Sequence, residues 1–236
     1  MGETKWLEEI SKNNKFPTAV VAHAWFHKKN SEAIIAEQAS FEIVKGIRSK
    51  PSVRFSANSK EFIKAGSMQD MNWREGLKLL EKYNLNYDLR IPPWHLNEAI
   101  EIVRLIPNTK VIINHAGFPW DRSKEGIEFW KKGIKAMSNE PNTFIKLSEF
   151  GVKGEDWNYS ENAEIIYQLI DFFGHQRCMF ASNFPVSKLK ISFNELFNNY
   201  KKIVRSFSLD EKKYLFSKTA LETYNIKKNT FQNNSC

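Results

Sequence analysis

Short β-branched runs alternate with longer amphipathic ones along this chain, and that alternation restricts it to parallel α/β architectures. Six runs read as strands, at residues 18–23, 43–48, 86–91, 110–114, 143–147 and 177–182. Between them a 3.6-residue apolar period predicts helices near 31–40, 73–83, 96–106, 124–137 and 162–173. Two more follow the last strand, near 193–207 and 209–224, the latter opened by Asp210 and Glu211 where acidic side chains favour a helix N-terminus. A closed (β/α)8 barrel needs eight such units, whereas a doubly wound sheet is satisfied by six. A dinucleotide-binding sheet places a glycine-rich turn after its first strand, and here that place holds Ala24-Trp25-Phe26-His27. Periodicity by itself leaves both architectures open.

The 236 residues are 42% hydrophobic and 14% aromatic, enough for one domain with a sizeable core, and no linker or low-complexity stretch divides them. The first residues lack the basic-then-apolar layout of a secretory signal, and no apolar run reaches the ~18 residues of a membrane span. Two cysteines, Cys178 and Cys236, make no disulfide framework, and the expected location is cytoplasmic. The net charge of +8 comes from lysines interleaved with glutamates, without an Arg-rich cluster or a zinc-finger spacing. Nucleic acid and membrane are therefore not the expected partners; a small anionic substrate is.

Parallel α/β proteins build their sites at the C-terminal ends of the strands. Four of the five histidines fall at or just beyond such ends. The first strand ends at His23, the second at Arg48, and the third runs into Pro92-Pro93-Trp94-His95. The fourth ends in Asn114-His115, the fifth in Ser148-Glu149 and the sixth in Ser182-Asn183. His115 is the strongest catalytic candidate, against the plainer reading of a buried structural histidine. His95 reads equally well as a helix-opening residue after its proline pair, and His23 as a core residue. His27, followed by two lysines, reads as surface. The Arg48 guanidinium suits a bidentate grip on a substrate carboxylate, or an ion pair with a helix.

Lys45-Gly-Ile-Arg48, Tyr87-Asp-Leu-Arg-Ile-Pro-Pro-Trp-His-Leu96, Ile113-Asn-His-Ala-Gly-Phe-Pro119, Ile145-Lys-Leu-Ser148 and Arg177-Cys-Met-Phe-Ala-Ser-Asn-Phe-Pro-Val186 stand in order along the chain. Together they resemble the amidohydrolase-related family of metal-dependent TIM-barrel hydrolases, which includes lactonases acting on sugar lactones and on pyrone dicarboxylate. The resemblance implies a lactone-opening hydrolase with His115, Asn183 and His95 as catalytic residues. Arg48, His23 and Trp94 are then the substrate-binding ones. The family usually ends its eighth strand with an acidic residue that activates water. Asn183 stands at that position, and an amide accepts no proton at neutral pH, so His115 or His95 inherits the proton-transfer role.

The family's first strand carries a His-x-His pair, which is absent here. Residues from Gly2 onward resemble the segment after the family's second strand, so the expectation is a barrel lacking its first two βα units, with six parallel strands. Zinc binding, with His115 as one ligand, then depends on a His-x-His segment supplied from upstream, because a catalytic zinc takes about three protein ligands. Such a chain is a single domain over 1–236, with a flexible tail over 225–236. It should expose edges at 18–23 and 177–182 and self-associate into a homo-oligomer. The alternative is a truncated, non-catalytic remnant of such an enzyme.

Overall fold

The computed structural model describes residues 2–60 and 64–227. Its strands are β1 (Val20–His23), β2 (Val44–Arg48), β3 (Asn86–Leu89), β4 (Val111–Ile113), β5 (Thr143–Leu147) and β6 (Cys178–Phe180). Helix α1 (Gly2–Asn14) precedes them, and α2 (Ser31–Ala39), α3 (Met71–Lys82), α4 (Leu96–Leu105), α5 (Lys124–Ser138) and α6 (Tyr159–Phe173) connect them. After β6 come α7 (Phe193–Ile203), α8 (Leu209–Lys213), a π-helical turn over Tyr214–Lys218 and α9 (Thr219–Thr223). Each of the six strand readings finds its strand, the one at 143–147 unchanged and the others trimmed by a residue or two at the ends. Helix α1 had no counterpart in the periodicity: Thr4 is its only buried residue, so no wide apolar stripe announces it.

The six strands form one sheet in the order β1-β2-β3-β4-β5-β6, and every neighbouring pair is parallel. A doubly wound sheet must reverse its order at a switch point, and this one does not. Right-handed crossovers that always step the same way put every connecting helix on one face. Accordingly α2 packs on α3, α4 on α5 and α5 on α6. The result is the wall of a singly wound barrel, and the doubly wound alternative falls. Among the described residues, β1 and β6 each have one strand neighbour only.

Period-two alternation divides the strands between two cores. Outward residues such as Val20, Tyr87, Leu89, Val111, Ile113, Ile145 and Leu147 pack under the helices. Trp73 of α3 is fully buried there, edge-on to Phe26 and Tyr87 at 5.4 and 6.1 Å. Burying a side chain of this kind is worth about 1.5–3 kcal/mol. Helix α3 comes so close to the loop after β1 that a Cβ on Gly76 would lie 2.2 Å from the Phe26 carbonyl oxygen.

The inward residues Val21, Ile112, Phe144 and Met179 meet Tyr224, Ala220 and Ile226 of the C-terminal segment. That segment is fastened at the N-terminal ends of the strands. Asn86 Nδ2 donates to the Thr223 carbonyl at 2.8 Å and Lys110 Nζ to the Glu222 carbonyl at 2.8 Å. Tyr224 then reaches inward, and its hydroxyl donates to Asp88 Oδ1 at 2.8 Å. The tail expectation falls mostly on 228–236, which lie outside the described residues. Of residues 225–227, Ile226 joins the inner cluster, while Asn225 and Lys227 are exposed, the latter 3.4 Å from Glu42. Among the described residues no helix is long and apolar enough to cross a membrane.

Candidate active site

The inward alternation that places Val21 and Ile112 in the lower core carries polar residues higher up. His23 and Arg48 are register partners at the ends of β1 and β2. Asp88 follows on β3 and Arg90 just beyond it, Asn114 just beyond β4, and Lys146 and Ser148 on and after β5. His115, Glu149 and Asn183 stand at the ends of β4, β5 and β6, and all three have left-handed backbone, with φ of 58°, 60° and 52°. Asparagine tolerates that conformation, but for histidine and glutamate it costs on the order of 1 kcal/mol each. Strain of this kind collects at functional sites, because the fold there serves side-chain placement before backbone comfort.

His115 Nδ1 lies 3.1 Å from Ser148 Oγ, and its ring meets Phe118 edge-on at 5.2 Å. The Arg90 guanidinium lies over that same Phe118 ring, 5.0 Å from its centroid. Burial, and then the charges of Arg90, Lys146 and Arg48, push the His115 pKa down to about 4, with Asp88 opposing. The imidazole is therefore neutral at pH 7. Burial followed by Arg90 and Arg48 also lowers the Lys50 ammonium, so four cationic side chains share this mouth. One is already committed: Lys146 pairs with buried Asp88 and donates to Asn114 Oδ1 at 3.2 Å.

Glu149 is half-buried, and burial raises its carboxyl above the usual range while Arg90 opposes the shift. Asn183 Nδ2 donates to Glu149 Oε2. Reading the sequence through the family's acidic position passed over Glu149, although it directly follows β5 just as Asn183 follows the β6 strand end. Arg90, Lys50, Lys146 and Asp88 were passed over too. Strand alternation alone would have put Asp88, Arg90 and Lys146 on the inner face.

The other sequence candidates are placed differently. His23 lies at the same end as Arg48, exposed, edge-on to Trp25 at 4.6 Å, and burial, Arg48 and Lys50 lower its pKa. His95 is buried with both ring nitrogens engaged: Nε2 accepts from the Arg54 N–H at 3.1 Å, and Nδ1 sits 2.6 Å from Glu98 Oε2. Trp94 Nε1 donates to the Arg54 carbonyl at 3.1 Å. Both residues thus brace the loop after β2. His115 and Asn183 occupy one end of the sheet.

A metal fares less well. Among the described residues no three His, Cys, Asp or Glu side chains come together as a metal site, and the chain's five histidines include no His-x-His pair. His115 and Glu149 are one imidazole and one carboxylate among Arg48, Lys50, Arg90 and Lys146. These residues by themselves do not fit a three-ligand zinc.

A singly wound parallel wall with its polar residues gathered at the strand C-termini is the scaffold of a TIM-barrel enzyme. The amidohydrolase profile matches residues 12–226, and the chain belongs to the amidohydrolase family. An uncharacterized protein, y4mH, of Sinorhizobium fredii is 32% identical over 95% of this chain and 75% of its own length. An L-fucono-1,5-lactonase of Burkholderia ambifaria is 24% identical over 82% of this chain, which spans 64% of that enzyme. Two crystal structures of an amidohydrolase from Burkholderia multivorans, one with HEPES and one with zinc, superpose with TM-scores of 0.81 and 0.80. They are 21% and 20% identical, and each match covers 96% of this chain and 80% of that one.

Proposed function

We propose that the chain is a hydrolase that opens the ring of a small carboxylated lactone. The observation that carries this reading is the convergence of a neutral, buried His115 with Arg48, Arg90 and Lys146 on the inner face at the strand ends. Arg48 and Arg90 grip the substrate carboxylate, which planar guanidinium groups do bidentately. Lys50 adds to the field that draws the anion in. With Ser148 Oγ donating to Nδ1, His115 keeps its hydrogen on Nε2 and offers it to the lactone carbonyl oxygen. Negative charge grows on that oxygen as the carbonyl is attacked, and one such preplaced donor is worth about 10²–10³ in kcat. Support also comes from the lactonase among the relatives.

The test is proton release by the purified chain with L-fucono-1,5-lactone and with 2-pyrone-4,6-dicarboxylate. Ring opening is expected, with the carboxylated substrate preferred. Arg90→Gln should raise KM for the dicarboxylate at least tenfold and change the sugar lactone much less. If no lactone is opened at any concentration, the reading is wrong.

A further inference from the structure

We propose that Glu149 is the water-activating carboxylate of this site, held in place by Asn183. The inference rests on the lactone-hydrolase reading above. Its first support is position. Glu149 stands at the end of β5, beside Arg90, and the neighbouring strand end supplies the carboxamide that touches it. Asn183 cannot accept a proton, but its N–H can fix one carboxylate oxygen. Oε2 receives that bond, and among the described residues Oε1 receives none, so one oxygen is anchored and the other is free for water.

The second support is what else could serve. Asp88, the other carboxylate of the inner face, is bonded to both Lys146 and the Tyr224 hydroxyl and lies buried beneath the mouth. His115 is depleted as a base by its burial and then by its cationic neighbours, and His95 has both nitrogens occupied. Glu149 also borders a cavity of about 430 Å³ walled by Phe150, Trp157 and Tyr200, roomy enough to hold water beside the carboxylate.

The third support is the backbone. At φ of 60° the residue that would sit without strain is glycine, and the chain keeps a long acidic side chain there instead. The acid thus stands one strand over from the β6 end, where the family resemblance leads one to expect it. The step balances simply. Water gives a proton to Glu149 Oε1 while its oxygen bonds to the lactone carbonyl carbon. The ring C–O bond then breaks, and Glu149 returns the proton to the departing ring oxygen, leaving a hydroxy acid and the original carboxylate.

The experiment compares wild type, Glu149→Gln and the double variant E149Q/N183D, using 2-pyrone-4,6-dicarboxylate and L-fucono-1,5-lactone between pH 4 and 9. Glu149→Gln should lower kcat by about 10²–10⁴ with little change in KM, and should remove the acid limb of the pH profile. Arg90 from the β3 end and Tyr200 from α7 interact with Glu149, Lys153 and Lys190 line the same cavity, and none of the four is altered. The double variant returns an acid to the β6 end and should regain at least tenfold over Glu149→Gln. Glu149→Gly, free of the backbone strain, takes the place of the glutamine variant if that one fails to fold. A Glu149→Gln enzyme within threefold of wild type, or one that keeps the acid limb, overturns the inference alone. Absence of turnover by wild type removes the lactone reading and the inference with it.

Discussion

Asn183 at the end of β6 donates its carboxamide N–H to the Glu149 carboxylate at the end of β5, and both residues hold left-handed backbone, at φ of 52° and 60°. Asn183 tolerates that backbone but Glu149 does not, so at Glu149 contact and comfort compete. Replacing Glu149 by glycine relieves on the order of 1 kcal/mol of backbone strain, against about 0.5–1 kcal/mol of added chain entropy in the unfolded state. Glu149→Gly should therefore melt within a few degrees of wild type while losing hydrolysis. A large drop in melting temperature would mean that the carboxylate is there for stability.

His115 makes stability depend on pH in a definite direction. Its pKa falls from 6.5 to about 4 on folding, so below 6.5 the unfolded chain binds the proton that the folded one refuses. Stability is then complete above about pH 6.5 and is lost as pH falls toward 4, by up to about 3 kcal/mol. Denaturant midpoints for wild type and His115→Asn at pH 7, 5.5 and 4.5 check this. The variant should show a shallower decline over that window.

The Asp88–Lys146 pair is a second lever on stability. Asp88 is 1% exposed and holds both Lys146 and the Tyr224 hydroxyl. Removing one partner of a buried pair strands the other, so Lys146→Met should cost about 3–5 kcal/mol. Tyr224→Phe deletes a single hydrogen bond to a charged acceptor and should cost about 1–3 kcal/mol. Asp88→Asn combined with Lys146→Met should cost less than Lys146→Met alone, which urea unfolding can resolve.

Gly76 tests the packing of α3. Helix propensity alone makes alanine better than glycine there by about 1 kcal/mol. The clash of its Cβ with the Phe26 carbonyl, at 2.2 Å, sets overpacking of about 1–3 kcal/mol against that gain, and the neighbour is backbone. Gly76→Ala should be destabilising by thermal melting. A stabilised variant would show that α3 shifts freely away from the β1 loop.

Residues whose role is set by local period were readable from the chain, and residues whose role is set by a distant partner were not. Val111 and Ile113 announce β4 by themselves, and Ser31 and Lys124 open helices where the pattern put them. Arg48 and His115 were named because each ends a strand. His95 was drawn into the site by the same rule, and only the fold reveals that Arg54 and Glu98 occupy its nitrogens. Glu149 was named as a strand-end residue but not weighed, since its meaning comes from Asn183, 34 residues away in sequence. Tyr224 was legible only as part of a helix, because its partner Asp88 lies on the third strand.

That last pairing has a consequence for how the protein is made. Tyr224 and Asp88 are 136 residues apart, so a nascent chain carries its inner ion pair long before the hydroxyl that completes it. Contacts so distant in sequence close late and slow the approach to the native state. A chain halted at residue 213 would have all six strands and still leave the inner face of Ile112 and Met179 open to water. The ribosome thus delivers the stopper only after all six strands, and the barrel wall must stand unplugged until it comes.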